Sequence, residues 1–252
     1  MLTLLTRRKA ISQPLLKADL KMKGTAYGRD EQPLTTAQAK KSSRAAKPAV
    51  GSAAPEIVEV VRSLAALKRA TNRCRECPIG EHATQSVCGE GPRKAGIMLV
   101  GEQPGDKEDL AGKPFVGPAG QLLDRALEQL GIARDKVFVS NAVKHFKYEL
   151  RGKRRMHKTP TQREIDACSH WLEDEITLVQ PTLLVALGGT AVRSLMGKAV
   201  PVMANRGQIL EREDGRKVLI TLHPSALLRV RPPDRKTAYR DWLHDLSHIN
   251  PH

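Results

Sequence analysis

Four short apolar runs divide the chain, and each has the length and composition of a buried strand. They are residues 97–100, 137–139, 183–187 and 218–220, which consist mainly of Val, Leu and Ile. Continuous apolar runs of this kind are typical of parallel strands that are covered on both faces. The sequence therefore predicts a small four-stranded parallel sheet.

Helical patterns separate these runs. Residues 121–127 repeat apolar positions at helical spacing, and another helix is predicted to begin near Thr190. Thr161 and Glu164 form the pattern of a capping box, which predicts a helix that runs to about residue 178. Strands that alternate with helices predict a three-layer α/β/α domain of the α/β class.

The first 55 residues have a different character. They are rich in Ala, Ser, Lys, Thr and Pro without a sustained apolar period, so we expect a disordered tail over residues 1–55 and a folded domain over residues 56–252. The first ten residues lack the apolar core of a secretory signal, which leaves a mitochondrial presequence, an extended start or a DNA-binding arm open. Behind Pro55 we predict an amphipathic helix whose apolar positions are Ile57, Val60, Val61, Leu64 and Leu67.

The charge of the chain indicates which kind of partner it binds, and its cysteine content indicates the redox state of its compartment. The formal net charge is +15, of which the tail carries +8, and the pI is about 9.9, so the domain is basic even without the tail. A polyanion, with nucleic acid first, is the expected partner. The four cysteines include one Cys-x-x-Cys pair, which favours a reducing compartment and a metal or redox role. No apolar run approaches the ~20 residues of a membrane span, so we expect a cytoplasmic protein that does not bind membranes.

The segment 101–120, GEQPGDKEDLAGKPFVGPAG, is the strongest candidate for a functional site. It is a long glycine- and proline-rich loop between a predicted strand and a predicted helix, and long loops in compact domains are often functional. Ligands of open α/β sheets bind just outside the carboxyl ends of the strands. The alternative is an ordinary connection between strand and helix.

Polar residues also follow the other predicted strands. Asn141 and His223 each come just after one, and a basic segment, residues 151–158, carries His157. Taken singly, Asn141 and His223 are more typical of turns, and the basic segment could be a solvated charge run. Because the carboxyl ends of parallel strands meet at one edge, we expect Glu102, Asp106, Asn141, His157 and His223 to converge. A basic segment beside such an edge suits a loop that grips phosphates.

Six segments together resemble a known family. They are GEQPGD, GKPFVGPAG, SNAVKHFK, KRRMHK, the Ala-Cys of a helix ahead of an aromatic residue, and HPSALLR. In this order they resemble the UdgX-type uracil-DNA glycosylases, which are close to family 4 of the uracil-DNA glycosylase superfamily. The resemblance extends from Cys74 to the C-terminus. It implies a bacterial, nucleoid-associated monomer that acts on uracil-containing DNA, preferably single-stranded.

The resemblance also implies a [4Fe–4S] cluster. Its ligands would be Cys74, Cys77, Cys168 and His145, which stands where family 4 enzymes have a cysteine. Cys88 is the competing fourth ligand, and a zinc site with the same ligands is the chemical alternative.

The implied roles in uracil excision fall on the predicted strand ends. Phe115 would stack on the flipped base, Asn141 would pair with its edge, and His223 would donate a hydrogen bond to the developing charge on uracil O2. The resemblance adds Gln103 and Gly105 as substrate-binding residues, and carboxylates at Glu102 and Asp106 that stabilise the cationic sugar. DNA contacts would come from Lys153, Arg154, Arg155, Lys158 and Arg229.

His157 distinguishes the UdgX type, in which a histidine of the basic segment attacks C1′ and stays attached to it. A carboxylate would orient this imidazole, with Glu102 as the first candidate and Asp109 as the second. Met156 stands where isoleucine is expected, a swap that keeps apolar bulk. Two other functions stay open: a uracil-DNA glycosylase that turns over, and a non-catalytic iron–sulfur module that binds nucleic acid.

Overall fold

The computed structural model describes residues 61–249. The predicted tail and the first part of the helix behind Pro55 lie outside the described residues. In chain order the elements are α1 (Leu64–Arg73), α2 (Ile79–His82), β1 (Ile97–Gly101), α3 (Asp106–Ala111), α4 (Pro118–Gln129), β2 (Val137–Asn141), β3 (Tyr148–Arg151), β4 (Arg154–His157), α5 (Gln162–Val179), β5 (Leu183–Leu187), α6 (Gly189–Met196), α7 (Val202–Asn205), β6 (Ile209–Glu211), β7 (Lys217–Thr221), α8 (Pro224–Leu228) and α9 (Pro232–Ser247).

The central sheet has the strand order β2-β1-β5-β7-β6. The four predicted strands are all present and run parallel, whereas β6 is an additional antiparallel edge strand that the sequence prediction missed. It is only three residues long, too short for its pattern to be distinctive. The chain moves outward from β1 to β2 and later returns to the other side of β1. The switch point therefore lies beside β1, where open α/β sheets bind their ligands.

Helices cover both faces of the sheet, as predicted. Successive residues of β1 point to opposite faces: Met98 and Val100 pack with residues of α5 and α6, and Leu99 packs with residues of α4, α8 and α9. The capping box of α5 is confirmed, because the Glu164 carboxylate accepts hydrogen bonds from the backbone N–H and the hydroxyl of Thr161. None of the helices within residues 61–249 has the length and apolarity to cross a bilayer.

Three further segments differ from their predictions. The long loop after β1 contains a short helix, α3, which ends at Gly112 in the left-handed conformation (φ 65°). The basic segment is not a loop but a β-hairpin, in which β3 and β4 pair antiparallel and Gly152 (φ 58°) forms the turn. Within the described part of the predicted N-terminal helix, α1 begins only at Leu64, because Ser63 caps it through a hydrogen bond from the N–H of Ala66 (3.1 Å).

A buried ion pair joins the end of β2 to α5. Lys144 Nζ lies 2.7 Å from Glu175 Oε2 and also donates to the carbonyl of Asn141 (2.7 Å) and to Ser140 Oγ (3.0 Å). Both side chains of the pair are fully buried. The other oxygen of Glu175 accepts the N–H of Gly89 (2.7 Å). This network fixes the backbone of Asn141, a predicted site residue.

Replacement of Lys144 by methionine is expected to destabilise the protein by about 3–5 kcal/mol, because it leaves the buried carboxylate of Glu175 without its cation. Denaturant unfolding monitored by circular dichroism measures the change. Lys153→Met, at the exposed hairpin turn, is the matched control and should stay within about 0.5 kcal/mol of the unmodified protein. Equal stability of the two variants would contradict the prediction.

Candidate active site

A cavity of about 530 Å³ opens beyond the carboxyl ends of β1 and β2. Its walls include four predicted residues from the segment after β1, namely Glu102, Gln103, Gly105 and Asp106. Five further predicted residues line it: Phe115, from later in the same segment, and Asn141, His157, His223 and Arg229 from other parts of the chain. The structure thus brings together nine predicted site residues that span 128 positions of the sequence, from 102 to 229.

Gly101, the last residue of β1, explains how three of these side chains meet. A Cβ at this position would collide with Asn141 Oδ1 and would lie 2.8 Å from Phe115 Cζ and 3.3 Å from His223 Nε2. A residue without a side chain is therefore required for the amide, the phenyl ring and the imidazole to share one end of the cavity. The sequence analysis did not identify Gly101 as a site residue.

Phe115 is held in an unusual backbone conformation. Its φ is 58°, in the left-handed region that non-glycine residues seldom adopt and that costs free energy. Gly120 permits this conformation, because a Cβ there would overlap the backbone carbonyl of Phe115. The ring is 7% exposed and its centroid lies 6.1 Å from that of His223. The surrounding loop thus fixes the aromatic face against the cavity.

Glu108 holds this loop together, and the sequence analysis gave it no role. Its carboxylate accepts the backbone N–H groups of Gly105 (3.1 Å) and Gly117 (2.7 Å), which lie on either side of α3. The carboxylate therefore ties the start of the loop to the start of α4. The only sequence signal for this role is the position of Glu108, three residues after the helix N-cap, where an acidic residue often bonds back to the N-cap N–H.

Asn141 offers a free amide to the cavity. Its side chain is 2% exposed, and within residues 61–249 the amide makes no hydrogen bond. Buried amides normally find partners in the protein or in water, so a free one beside a cavity indicates a polar ligand. An amide presents a donor and an acceptor side by side and can pair with the edge of a base.

The hydrogen bonds of His223 fix its tautomer. Its Nδ1 accepts the backbone N–H of Ser225 (3.1 Å) and also lies 2.8 Å from the hydroxyl of Ser225. The proton of the neutral ring is therefore on Nε2, the nitrogen that faces the cavity beside Gly101. Burial lowers the pKa of His223 to about 4, and electrostatic interactions with His157 and Arg229 act in the same direction. At neutral pH the ring is an uncharged donor directed into the cavity.

This lowered pKa predicts a pH dependence of stability. The folded protein binds the His223 proton only near pH 4, whereas an unfolded histidine binds it near pH 6.5. The contribution of His223 is therefore fully present above pH 6.5 and is lost as the pH falls towards 4, by up to about 1.4 kcal/mol per pH unit. Denaturant unfolding of the unmodified protein and of His223→Gln between pH 4 and 7 measures it. A difference between the two that is constant with pH would contradict the prediction.

His157 and Glu102 lie next to each other in the cavity wall. His157 Nε2 lies 3.6 Å from Glu102 Oε1, and the side chains are 48% and 26% exposed. Glu102 Oε1 is itself buried and has no hydrogen-bond partner among the described residues. An unpartnered buried carboxylate oxygen beside an imidazole can accept the proton of one ring nitrogen when the two approach. Of the two predicted carboxylates, Glu102 is the one that lies against His157.

Gln103, a predicted substrate-binding residue, lines the cavity, and its side-chain amide is bonded to the backbone of the hairpin. Its Nε2 donates to the carbonyls of Lys147 (3.2 Å) and Lys158 (3.0 Å), and its Oε1 accepts the N–H of Lys147 (3.0 Å). These two lysines lie immediately outside the two strands of the hairpin. The amide of Gln103 therefore fixes the base of the hairpin, and with it the backbone next to His157.

Arg155, a predicted DNA contact, connects the hairpin to α3. Its guanidinium donates to Asp106 Oδ1 and to Asp109 Oδ2, each at 2.6 Å, and lies over the rings of Phe146 and Tyr148. Burial acts to lower the pKa of Arg155, but the hydrogen bonds and negative charges of Asp109 and Asp106 raise it overall. Asp109 is fully buried and also accepts the N–H of Thr84, so it is engaged away from His157. The Arg155 side chain is only 17% exposed.

The other predicted cationic residues are better placed for an external partner. Lys153 and Arg154 are exposed and form no ion pair within the described part of the chain, and Arg229 is exposed at the cavity rim. Lys158 pairs with Glu149 at 3.0 Å, but both side chains are about half exposed, so this pair is weak. The cavity therefore has exposed positive charge on its hairpin side and on its α8 side.

The four predicted cluster ligands lie around one region behind the hairpin. Cys77 and Cys168 pack in the same small apolar cluster, and Gly80 lies between the backbone of Cys74 and the His145 ring. Two of the thiols already accept N–H groups: Cys168 from the backbone of Lys144 (3.3 Å) and Cys74 from Trp171 (3.4 Å). Burial lowers the pKa of His145 to about 4, which keeps its imidazole neutral, the form that binds metals.

This donor set fits an iron–sulfur cluster in its chemistry. Three thiols and a neutral imidazole are ligands that iron accepts, and N–H···S bonds are typical around such sites. Within residues 61–249, no group of three or more His, Cys, Asp or Glu side chains is arranged closely enough to hold a metal ion. The same donor set would also suit zinc, so the zinc alternative stays a prediction beside the cluster. Cys88 instead lies 3.2 Å from the hydroxyl of Thr71.

Comparison with known proteins agrees with this geometry. The profile of the Uracil DNA glycosylase superfamily matches residues 88–247. The type-4 uracil-DNA glycosylase of Thermotoga maritima is 38% identical over 177 residues, which cover 70% of this chain and 85% of that protein. The type-4 enzyme of Pyrobaculum aerophilum is 37% identical over 167 residues, or 62% and 80% of the two chains. A DNA polymerase of Bacillus phage SP01 is 31% identical over 142 residues, which form 14% of the polymerase.

The profile covers more than half of the chain and includes β1, the cavity and α9. The parallel sheet, the position of the cavity at the switch point and the similarity to type-4 enzymes lead to the same result. This chain belongs to the uracil-DNA glycosylase superfamily.

Proposed function

We propose that this protein excises uracil from DNA and then stays covalently attached to the resulting sugar through His157. Membership of the superfamily and the similarity to type-4 uracil-DNA glycosylases support the excision of uracil. One observation carries the covalent step. His157 Nε2 lies 3.6 Å from Glu102 Oε1, a buried oxygen that has no hydrogen-bond partner among the described residues.

Recognition of the base follows from the end of the cavity beside Gly101. Uracil leaves the base stack at a cost of a few kcal/mol, which is least in a single strand, so we propose single-stranded DNA as the preferred substrate. The fixed ring of Phe115 stacks on the flipped base. The free amide of Asn141 pairs with O4 and N3 of uracil and does not match the reversed donor and acceptor of cytosine.

Cleavage of the glycosidic bond leaves its electron pair on uracil and a positive charge on the sugar. His223 donates its Nε2–H to uracil O2, where negative charge develops, and no proton has to be transferred because the neutral ring is already a donor. The carboxylate of Glu102 stabilises the cationic sugar from the other wall. Asp106 contributes to the field of the site, but Arg155 neutralises much of its charge.

Capture of the sugar uses the imidazole of His157. One ring nitrogen attacks C1′ with its lone pair and forms a C–N bond, while the proton on the other nitrogen passes to Glu102 or to solvent. The product is a sugar joined to a neutral imidazole. Because Gln103 and Arg155 fix the hairpin at its base and at its inner face, His157 is held where water would otherwise attack.

The [4Fe–4S] cluster belongs to this proposal as a structural group. Cys74, Cys77, Cys168 and His145 would hold it, and when bound it would tie the Cys-x-x-Cys loop, α5 and the segment after β2 together. That segment directly follows Asn141, the last residue of β2, so the cluster would help to fix the base-reading amide. The excision chemistry itself is carried by side chains of the chain. We also propose that the protein acts as a monomer.

Covalent capture can be tested directly on a denaturing gel. The protein is incubated with a labelled single-stranded oligonucleotide that contains one uracil, boiled in detergent and separated, with the matched thymine oligonucleotide as control. A shifted band that requires uracil supports the proposal. Alkali-labile breaks without a shifted band would contradict the covalent step and favour a glycosylase that turns over. Binding without either signal would favour the non-catalytic module.

The exposed cations of the hairpin turn are expected to contact DNA phosphates. Lys153→Ala and Arg154→Ala should each weaken binding of any single strand and reduce the slope of log K against log salt by about 0.7, the value for one single-strand phosphate contact. Fluorescence anisotropy at several salt concentrations measures this slope. Lys236→Ala, an exposed cation of α9 that does not line the cavity, is the control for simple loss of charge. A slope that is unchanged in both hairpin variants would contradict the phosphate contacts.

A further inference from the structure

Two side chains contact the sulfur of Cys74 and a third contacts both of them, and none of the three has a proposed part in excision or DNA contact. The indole N–H of Trp171 donates to Cys74 Sγ at 3.4 Å, and Glu76 Oε1 lies 3.6 Å from the same sulfur. His170 Nε2 lies 2.9 Å from Glu76 Oε2, and its ring centroid is 4.3 Å from that of Trp171. We call Glu76, His170 and Trp171 the Cys74 contact group.

The group joins two parts of the predicted cluster site. Glu76 lies between the two cysteines of the Cys-x-x-Cys pair, whereas His170 and Trp171 follow Cys168 on α5. The side chains of Glu76 and His170 are about half exposed, and an exposed pair of this kind adds little to folding stability. Stability alone therefore does not account for an acid, a base and an indole placed around one thiol.

We propose that the Cys74 contact group tunes the iron–sulfur cluster through Cys74, with Trp171 as the positioning residue. The inference rests on the cluster proposed above. As a ligand, Cys74 is a thiolate, and the N–H of Trp171 then makes a charge-assisted bond to a negatively charged sulfur. This bond favours the more reduced, more negative state of the cluster, whereas the nearby negative charge of Glu76 opposes it.

His170 sets the balance between these two effects. Its Nε2 lies within hydrogen-bond distance of both oxygens of Glu76 (3.1 and 2.9 Å) and so holds the carboxylate in place beside Cys74. Its ring also packs on Trp171 and keeps the indole directed at the sulfur. The group thus contains one residue that raises the reduction potential, one that lowers it, and one that orients both.

The proposal predicts shifts of opposite sign for two conservative variants. Trp171→Phe keeps the aromatic bulk and loses the donor, so the reduction potential of the cluster should become more negative. Glu76→Gln keeps a partner for His170 and loses the charge, so the potential should become more positive. Purified protein reconstituted with iron and sulfide is titrated with redox dyes, and the cluster is followed by electron paramagnetic resonance.

Two controls separate tuning from a merely structural role. Trp242→Phe removes an indole donor far from the cysteines, to the carbonyl of Leu222, and should leave the potential unchanged. The iron and sulfide content of each preparation shows whether the cluster is loaded. Uracil excision by the same preparations shows whether the proposed activity is present. Loaded variants that share the potential of the unmodified protein, or shift in the same direction, would overturn the proposal. The tuning proposal would also be overturned if the unmodified protein contained no reducible cluster. The uracil-excision assay would still test the proposed function separately.

Discussion

Replacement of His157 by alanine is expected to abolish the boiling-resistant protein–DNA band and to leave the release of uracil in place. The variant removes the proposed nucleophile but leaves Phe115, Asn141 and His223, which line the same cavity and are proposed to act on the base. Water then captures the sugar cation, so alkali-labile abasic sites should replace the adduct and should accumulate over many turnovers. A denaturing gel with and without alkali measures both products in one experiment.

The matched control is His244→Ala, an exposed histidine on α9, which should form the adduct as the unmodified protein does. A His157→Ala variant that still forms the band would identify a different nucleophile. One that forms neither band nor abasic sites would show that His157 is needed for cleavage itself, and the assignment of cleavage to the opposite wall would then be wrong. Glu102→Gln extends the test, since it should slow both steps if this carboxylate stabilises the sugar and orients the imidazole.

Replacement of His223 by alanine is expected to slow uracil release by about 10²–10³-fold, the usual effect of removing one donor to a developing oxyanion. The reason is the fixed tautomer: Ser225 occupies Nδ1, so Nε2–H faces the cavity, where it is proposed to meet uracil O2. Single-turnover release of labelled uracil is the appropriate measurement, because it is independent of product capture by His157.

The effect should fall on the rate constant and not on substrate binding, because the donor acts on charge that develops only during cleavage. His223→Asn keeps a side-chain donor and should retain part of the rate, whereas alanine should not. Because the His223 pKa is about 4, excision by the unmodified protein should show no loss from His223 protonation between pH 8 and about 5. Equal rates for the alanine variant and the unmodified protein would remove His223 from the cleavage step.

The predicted cavity residues show how far local pattern extends. Glu102, Asp106, Asn141 and His223 were expected together because each follows an apolar run, and the carboxyl ends of parallel strands necessarily meet at one edge. The structure gathers all four around one cavity. By contrast, the basic segment showed no alternation of apolar and polar residues, because many of its residues are cationic. It nevertheless forms a hairpin, in which Arg155 packs over the rings of Phe146 and Tyr148.

The partners of individual polar side chains depend on tertiary structure. The guanidinium of Arg155, a predicted DNA contact, binds Asp106 and Asp109, which are 49 and 46 residues earlier in the chain. Gln103, a predicted substrate contact, lines the cavity, and its amide also holds the base of the hairpin. Sequence identifies a cation or an amide that needs a partner. It does not identify which of many distant groups supplies it.

The sequence by itself determined the α/β class, the four parallel strands, the capping box of α5 and the edge of the sheet at which the cavity opens. These follow from interactions between near neighbours and from the direct relation between apolar period and burial. Only the tertiary structure decided that Glu108 closes the loop, that Gly101 and Gly120 make room for Phe115, and that Lys144 and Glu175 form a buried pair under Asn141. Each of these depends on the distance between residues brought together by folding, which local periodicity does not specify.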